Sequence, residues 1–93
     1  MSYALELQEE AVIDMRDAFE WYEQQKTGLG FELIDEIESG FEQICNSPFH
    51  YSSINEHFRK LKIKRFPYLV IYEVEALKVI IIAVRHSSKK PKD

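Results

Sequence analysis

A basic strand followed by two apolar strands is the feature that most constrains the fold of this sequence. Cationic and aliphatic side chains alternate from Arg59 to Arg65. This is the two-residue period of a β-strand with one buried face and one solvated face. Two apolar segments follow near residues 68–75 and 78–86. Because the connections are short, the three segments, near 57–65, 68–75 and 78–86, predict an antiparallel meander.

The alternation also predicts which side chains are buried. Leu61 and Ile63 point to one face of the basic strand, and its lysines point to the other. Residues 79–84 of the last strand are apolar on both faces. We therefore expect a central strand, or one whose second face is covered by a partner.

The first half of the chain predicts one strand and two helices. Residues 3–7 alternate with a period of two and predict a short strand. Helical spacing of apolar residues then runs from Glu9 to a stop at Gly28, and again from residue 29 or 30 to Asn46. Since so few residues separate the helices, they should form an antiparallel hairpin.

Several residues of the helices have expected packing roles. Trp21 and Tyr22 should pack against the second helix. Gly40 costs about 1 kcal/mol relative to Ala inside a helix, and close approach to the first helix would explain it. Cys45 lies in the apolar stripe and should be a buried small hydrophobe rather than a nucleophile.

The predicted order β-α-α-β-β-β defines a small domain of the α+β class. Residues 1–93 should form one domain, with a polar, basic tail over residues 87–93. The helix hairpin should pack on one face of a largely antiparallel sheet. The other face should be exposed to solvent or serve as a binding face.

Charge is divided unevenly between the two halves of the chain. Residues 1–46 carry two basic and twelve acidic side chains, and residues 47–93 carry ten basic and four acidic ones. An overall net charge of −4 argues against indiscriminate nucleic-acid binding. The basic half is still suited to an acidic or phosphate-bearing target.

Several classes of protein are disfavoured. A single cysteine excludes an internal disulfide framework. The N-terminus does not read as a signal peptide, and the longest apolar run, six residues, is too short for a membrane span. His50 and His57 are too few for a metal site, which needs three or four ligands. We expect a cytoplasmic protein with no metal and no cofactor.

Segments spread along almost the whole chain resemble a known family. They are Glu20–Gln25, Gly28–Phe31, Ile44–Pro48, Lys64–Tyr72 and Ala83–His86, followed by Pro91. In this order they resemble the RelE/ParE superfamily, the toxin halves of bacterial toxin–antitoxin modules. The resemblance implies a growth-inhibiting toxin of a plasmid-stabilisation module, kept silent by a small antitoxin that covers its active surface.

The resemblance implies two alternative targets. RelE-like members cleave messenger RNA in the ribosomal decoding site, whereas ParE-like members inhibit DNA gyrase and are not known to need catalytic residues. In either case we expect the open sheet face and the basic strand to bind the antitoxin and the target. A homodimer or a toxin–antitoxin hetero-oligomer is also expected. The predicted surface comprises Lys60, Lys62, Lys64, Arg65, Tyr68, Tyr72, Arg85, His86, Lys89 and Lys90.

RNA cleavage without a metal requires a proton acceptor, a proton donor and positive charge on the phosphate. The residues that would supply these groups here are Lys60, Lys62, Arg65, Arg85 and His86. The ribonuclease branch usually carries an Arg just beyond the last strand, where this chain has Ser87, and often a C-terminal Tyr, whereas no aromatic residue follows Tyr72. The acidic first half would also be repelled by ribosomal RNA.

The sequence therefore ranks a non-enzymatic, ParE-like gyrase inhibitor first. A ribosome-dependent endonuclease stands second, and a non-toxic interaction module of the same fold is the third alternative. A plainer interpretation remains open for the site itself. Any amphipathic strand with a wet face alternates Lys with Leu and Ile, and His86 could simply end the sheet.

Overall fold

The computed structural model describes residues 3–87. It confirms the predicted order of elements. These are β1 (Ala4–Leu7), α1 (Glu9–Gln25), α2 (Leu29–Asn46), β2 (Arg59–Lys62), β3 (Tyr68–Glu75) and β4 (Lys78–His86).

The four strands form one mixed sheet in the order β1-β4-β3-β2. β4 pairs in parallel with β1 and antiparallel with β3, and β3 pairs antiparallel with β2. The prediction of a largely antiparallel sheet is confirmed, and β4 is central, as its two apolar faces suggested. The edge strand β1 is parallel to β4 because the helix hairpin carries the chain back across the sheet before the meander begins.

β2 is shorter than the predicted strand over residues 57–65. Before it, the side-chain oxygen of Asn55 accepts hydrogen bonds from the backbone N–H groups of His57 (2.8 Å) and Phe58 (2.9 Å), which holds these residues in a turn. After it, Arg65 adopts a positive φ of 72° in the turn that leads to β3. The alternation could not reveal either turn, since it describes side chains and not backbone dihedrals.

Both helices lie on one face of the sheet and bury their apolar stripe there. Leu33, Ile37 and Ile44 of α2 are fully buried against a sheet surface that includes Val70 and Ile81. Each such side chain contributes about 1.5–3 kcal/mol through burial. Leu61 and Ile63 are also buried, as the alternation predicted, and so is Cys45.

The close approach between the helices occurs at Gly30, so the prediction that placed it at Gly40 is wrong. A Cβ at Gly30 would lie 2.7 Å from the carbonyl oxygen of Phe19. The Gly30 N–H also donates to a carboxylate oxygen of Glu23 at 2.8 Å. A Cβ at Gly40 would instead meet Leu61 at 2.9 Å. Gly40 therefore makes room for the sheet and not for α1.

The packing predicted for Trp21 against α2 is also wrong, whereas Tyr22 packs on the core that includes α2 residues. Tyr22 points to the sheet, where its ring centroid lies 5.2 Å from that of Phe66 and 6.2 Å from that of Tyr68. Trp21 is 55% exposed and contacts Tyr22 edge to face. Neighbouring residues of a helix point about 100° apart, so the burial of one does not imply the burial of the other.

A β-bulge divides β4. Ile71 pairs with Ala83, but the next residue, Tyr72, pairs with Ile81, which leaves Ile82 as the extra residue. Val79 and Ile81 face the helices before the bulge, and the extra residue turns Val84 to the same side after it. Part of the doubly apolar character of β4 therefore comes from this change of face.

Candidate functional site

The antiparallel pairing of β3 and β4 brings four predicted site residues to one end of the sheet, which we call the basic end. These residues are Arg65, Tyr68, Arg85 and His86. Tyr68 begins β3 and lies opposite His86, the last residue of β4. Their ring centroids are 5.2 Å apart. The Ser87 N–H donates to the Pro67 carbonyl at 2.6 Å, which secures the end of β4 against the turn before β3.

Arg65 is held against α2 by two carboxylates. Its guanidinium lies 2.5 Å from Glu32 and 3.7 Å from Glu36, and it also rests 5.3 Å from the ring centroid of Phe66. The hydrogen bond with Glu32 is the main cause that raises the pKa of Arg65, with further contributions from Glu36.

Arg85 is held against α1 in the same way. It forms an ion pair with Glu10, and its Nε lies 3.6 Å from Asp14. The same Asp14 carboxylate accepts the Val84 N–H at 2.9 Å. β1 ends at Leu7, before it reaches this part of β4. The N–H of the next residue, Gln8, donates to the Ile81 carbonyl, three residues before Val84. Asp14 therefore replaces a missing strand neighbour and orients Arg85.

The three lysines of the basic strand are exposed, as predicted: Lys60, Lys62 and Lys64. Lys60 pairs with Ile71 and Lys62 with Leu69. Paired residues share a face, and Leu61 between them is buried under the helices. Lys60 and Lys62 therefore lie on the sheet face turned away from the helices, here called the open face.

Apolar residues occupy the centre of the open face. By strand register, Ile71 of β3 lies beside Ala83 of β4, and Glu73 lies beside Ile80. Ile80 and Ala83 are 5% and 2% exposed. Glu6 of β1, which pairs with Ile80, is at the far side from the lysines. The open face is thus basic at β2 and apolar at its centre, and at β1 the Glu6 carboxylate is paired with Lys78 at 3.1 Å.

Tyr72 does not lie on the surface, contrary to the prediction. Its side chain is fully buried, and its hydroxyl donates to the Pro48 carbonyl at 2.5 Å. Burial raises the pKa of Tyr72 to about 12. Tyr68 is only partly buried, and burial again raises its pKa, followed by the influence of Tyr22. Lys89 and Lys90, also predicted for this surface, lie outside the described residues.

A cleft of about 520 Å³ runs beside the basic end, between α1 and β4. Its lining includes Tyr68, Arg85 and His86, together with Trp21 and Asp17 of α1. Sequence reasoning missed the two α1 residues. The adjacency of Trp21 and Tyr22 was the available signal, because neighbouring residues of a helix point in different directions and need not be buried together.

The arrangement offers aromatic surface and hydrogen-bond donors, but its strongest cations are already engaged. A phosphate group at the basic end would have to compete with helix carboxylates for Arg65 and for Arg85. Among residues 3–87, no three His, Cys, Asp or Glu side chains come together in a way that could hold a metal ion. No helix in the same range is long and apolar enough to cross a membrane.

Two solved structures share this fold. The structure is similar to the chromosomal ParDE toxin–antitoxin system from P. aeruginosa, with a TM-score of 0.80 and 12% identity over 91% of this chain and 96% of that one. It is also similar to the isolated E. coli RelE toxin, with a TM-score of 0.70 and 18% identity over 96% of this chain and 88% of that one. At these identities the likeness establishes a shared fold.

The sequence itself supplies the family. Residues 5–91 match the family described as the ParE toxin of type II toxin–antitoxin system, parDE. This chain therefore belongs to the ParE toxin family. No curated protein matched the sequence. The predicted resemblance to the RelE/ParE superfamily, nearer to its ParE-like branch, is confirmed.

Proposed function

We propose that this protein inhibits bacterial growth by binding DNA gyrase, and that a cognate antitoxin neutralises it by covering the same surface. Membership in the ParE toxin family supports a toxin of a type II system, and such a toxin implies an antitoxin partner. The choice of gyrase, and action in the cytoplasm where gyrase works, go beyond family membership.

The choice of a binding mechanism over RNA cleavage rests on the ion pairs of Arg65 and Arg85. Ribonuclease chemistry needs preorganised positive charge aimed at the developing charge of the phosphate. Here the guanidinium of Arg65 is held by Glu32, and that of Arg85 is held by Glu10. The helices that supply these carboxylates belong to the acidic half of the chain, which disfavours the approach of ribosomal RNA.

The open face and the basic end together form the proposed binding surface. The open face offers apolar contact area around Ile71, flanked by Lys60 and Lys62. A partner segment that presents apolar side chains beside Asp or Glu would complement it. Arg65 and Arg85 could then pair with carboxylates of a partner, while Glu32 and Glu10, whose side chains are 48% and 58% exposed, would return to solvent.

A supercoiling assay tests the gyrase target directly. Purified toxin should prevent purified gyrase from supercoiling a relaxed plasmid, and addition of the antitoxin should restore the reaction. Ribosome-bound messenger RNA should stay intact at the same toxin concentration. Normal supercoiling in the presence of folded toxin would contradict the proposal.

The contact between Tyr68 and His86, beside Arg85, favours RNA cleavage as the second candidate function. His is the side chain most often used for proton transfer in catalysis. In that case ribosome-bound message would be cut at codon-defined positions while supercoiling continued. His86→Ala and Arg65→Ala should then abolish cleavage. If the protein neither prevents supercoiling nor cuts ribosome-bound message, the result supports the third alternative, a non-toxic interaction module.

A further inference from the structure

A second surface lies at the outer edge of β1, on the opposite side of the sheet from the basic strand. The strand order β1-β4-β3-β2 makes β1 and β2 the two edges. The edge at β2 is partly covered, because Ser53 bridges Arg59 and the Lys60 N–H donates to the Ser52 carbonyl. At the edge of β1 the Tyr3 N–H donates to the Cys45 carbonyl of α2 at 2.9 Å, and no such bond covers Leu5 or Leu7 among residues 3–87.

The backbone of β1 has hydrogen-bonding groups directed at this edge. The N–H groups of Ala4 and Gln8 donate to the carbonyls of Leu77 and Ile81, each at 3.0 Å. Since backbone groups of a strand alternate in direction, those of Leu5 and Leu7 point away from β4. Unpaired edge groups of this kind are a template for another strand.

A groove with an apolar floor runs alongside this edge, and we call it the β1-edge groove. It encloses about 700 Å³ between β1 and α2. Leu5 is 43% exposed there. The floor is formed by Leu5, Leu7, Met15, Phe41 and Cys45.

The rim of the groove is acidic. Asp35, Glu38 and Glu42 line it, and all three are exposed. Their spacing of three and four residues puts them in one stripe along α2. Within the described residues none of them forms an ion pair, unlike Glu32 and Glu36 on the same helix, which hold Arg65. The groove therefore presents negative charge that residues 3–87 do not neutralise.

We propose that the β1-edge groove binds an extended segment of a partner protein that adds a strand to β1. On the side facing α2, this segment carries two apolar side chains flanked by Lys or Arg. Its main chain pairs with the groups of Leu5 and Leu7, and its apolar side chains cover the floor. Its flanking cations meet Glu38 and Glu42 on the rim. The proposal does not depend on the target that the toxin inhibits.

A second copy of this chain does not fit the groove as well. Its strand β2 has the required cations, Lys60 and Lys62 among them. Leu61 and Ile63, the apolar residues between and after those cations, are 8% and 5% exposed because they belong to the copy's own core. They cannot fill the floor of a neighbour without unfolding that core, so the occupant is a different protein.

A labelled peptide tests the charge complementarity. The probe is Lys-Thr-Val-Thr-Leu-Thr-Lys, with its termini blocked, and its binding to the full-length protein is followed by fluorescence anisotropy. Replacement of both lysines by Glu should weaken binding by about tenfold or more. The variant Glu38→Lys/Glu42→Lys should cause a similar loss. Glu20→Lys/Glu56→Lys is the matched control, since it changes the net charge equally at exposed sites outside the groove, and it should bind within about twofold of the wild type.

N-methylation of the peptide backbone tests the added strand. Methyl groups on alternate residues block either the N–H groups that face β1 or those that face solvent. One methylated peptide should lose about tenfold in affinity, and the other should bind within about twofold of the parent. Equal binding of both would mean a helical or side-chain-only contact and would overturn the proposal.

Three further results would also overturn it. One is the absence of peptide binding at millimolar concentration, and another is equal binding to the groove variant and the control variant. The third is a dimer of the protein alone that dissociates in Glu38→Lys/Glu42→Lys, since a second copy would then occupy the groove. Circular dichroism and urea unfolding establish that each variant is folded before its binding is interpreted.

Discussion

At the scale of single residues, Tyr72 has a structural role that the alternation of side chains along β3 does not predict. The alternation along β3 assigns it a face, and the fold places α2 and the loop after it over that face. Its ring is then fully buried, and its hydroxyl reaches the carbonyl of Pro48. A buried Tyr generally finds such a partner, because an unpaired hydroxyl in the core is costly.

Tyr72→Phe should therefore lower the free energy of unfolding by about 1–2 kcal/mol, since it leaves the Pro48 carbonyl without its donor. Urea unfolding at neutral pH measures the change. Tyr51→Phe is the control, because the hydroxyl of that partly buried Tyr makes only a 3.5 Å contact with Gln43. It should cost less than Tyr72→Phe, and equal effects would contradict the assignment.

The raised pKa of Tyr72 predicts a loss of stability in alkaline solution. The folded protein binds this proton more tightly than the unfolded chain, whose Tyr titrates at the ordinary value of 10.0, against about 12 in the fold. The contribution is thus complete below pH 10 and is lost as the pH rises toward 12. The loss of stability should reach about 1.4 kcal/mol by about pH 11. Urea unfolding at about pH 9 and pH 11 should show a smaller decrease for Tyr72→Phe than for the wild type.

At the scale of elements, the hairpin of α1 and α2 depends on a close contact at Gly30. The missing side chain allows the Phe19 carbonyl to approach and the Gly30 N–H to reach Glu23. The contact at Gly40 involves the Leu61 side chain instead, and that side chain can move. The two glycines of one helix therefore differ in what they accommodate.

Gly30→Ala should destabilise the protein by about 1–3 kcal/mol, because its Cβ would overlap a backbone atom. Gly40→Ala should be close to neutral, since a gain in helix propensity of about 1 kcal/mol offsets the adjustment of Leu61. The difference between the two variants in urea unfolding is the measurement. A larger effect at Gly40 would contradict the contacts described.

Asp14 joins α1 to the second half of β4, beyond the end of β1. Asp14→Ala should cost about 1–3 kcal/mol, because the Val84 N–H would lose its acceptor. Asp14→Asn keeps an acceptor oxygen and should cost less. Hydrogen exchange of the Val84 amide should accelerate in Asp14→Ala and change little in Asp14→Asn. Equal exchange in all three proteins would show that the bond does not protect β4.

At the scale of the whole molecule, the fold places the charge asymmetry of the sequence on opposite edges of the sheet. The lysines of β2 flank one side of the open face, and the acidic stripe of α2 borders the β1-edge groove on the other side. The basic end lies between α1 and α2 carboxylates that hold its arginines. One small protein thus presents two surfaces that suit partners of opposite charge.

Charge reversal on the open face tests this arrangement. Lys60→Glu/Lys62→Glu should raise the toxin concentration needed to inhibit its target by about tenfold or more, because both lysines are exposed beside the proposed contact area. Arg16→Glu/Lys26→Glu changes the net charge equally on α1 and the residue after it, and it should leave inhibition within about twofold of the wild type. Similar losses in both variants would mean that overall charge, and not the open face, governs binding.

The sequence by itself determined the elements of this protein and their order. Period-two and helical spacings predicted the α+β class, the helix hairpin, the central place of β4 and the burial of Leu61 and Ile63, because these patterns follow from local geometry. Arg65, Arg85 and His86, which lie at the basic end, were singled out by the resemblance to the RelE/ParE superfamily and not by these spacings. The resemblance of its segments also pointed to the ParE-like branch.

Only the tertiary structure decided how these elements touch. It placed the interhelical contact at Gly30, buried Tyr72, exposed Trp21, turned β4 by a bulge, and joined Arg65 and Arg85 to helix carboxylates distant in sequence. The physical reason is that such contacts depend on which faces of separate elements meet. Local periodicity specifies a face for each element, but it does not specify what that face will meet across the core.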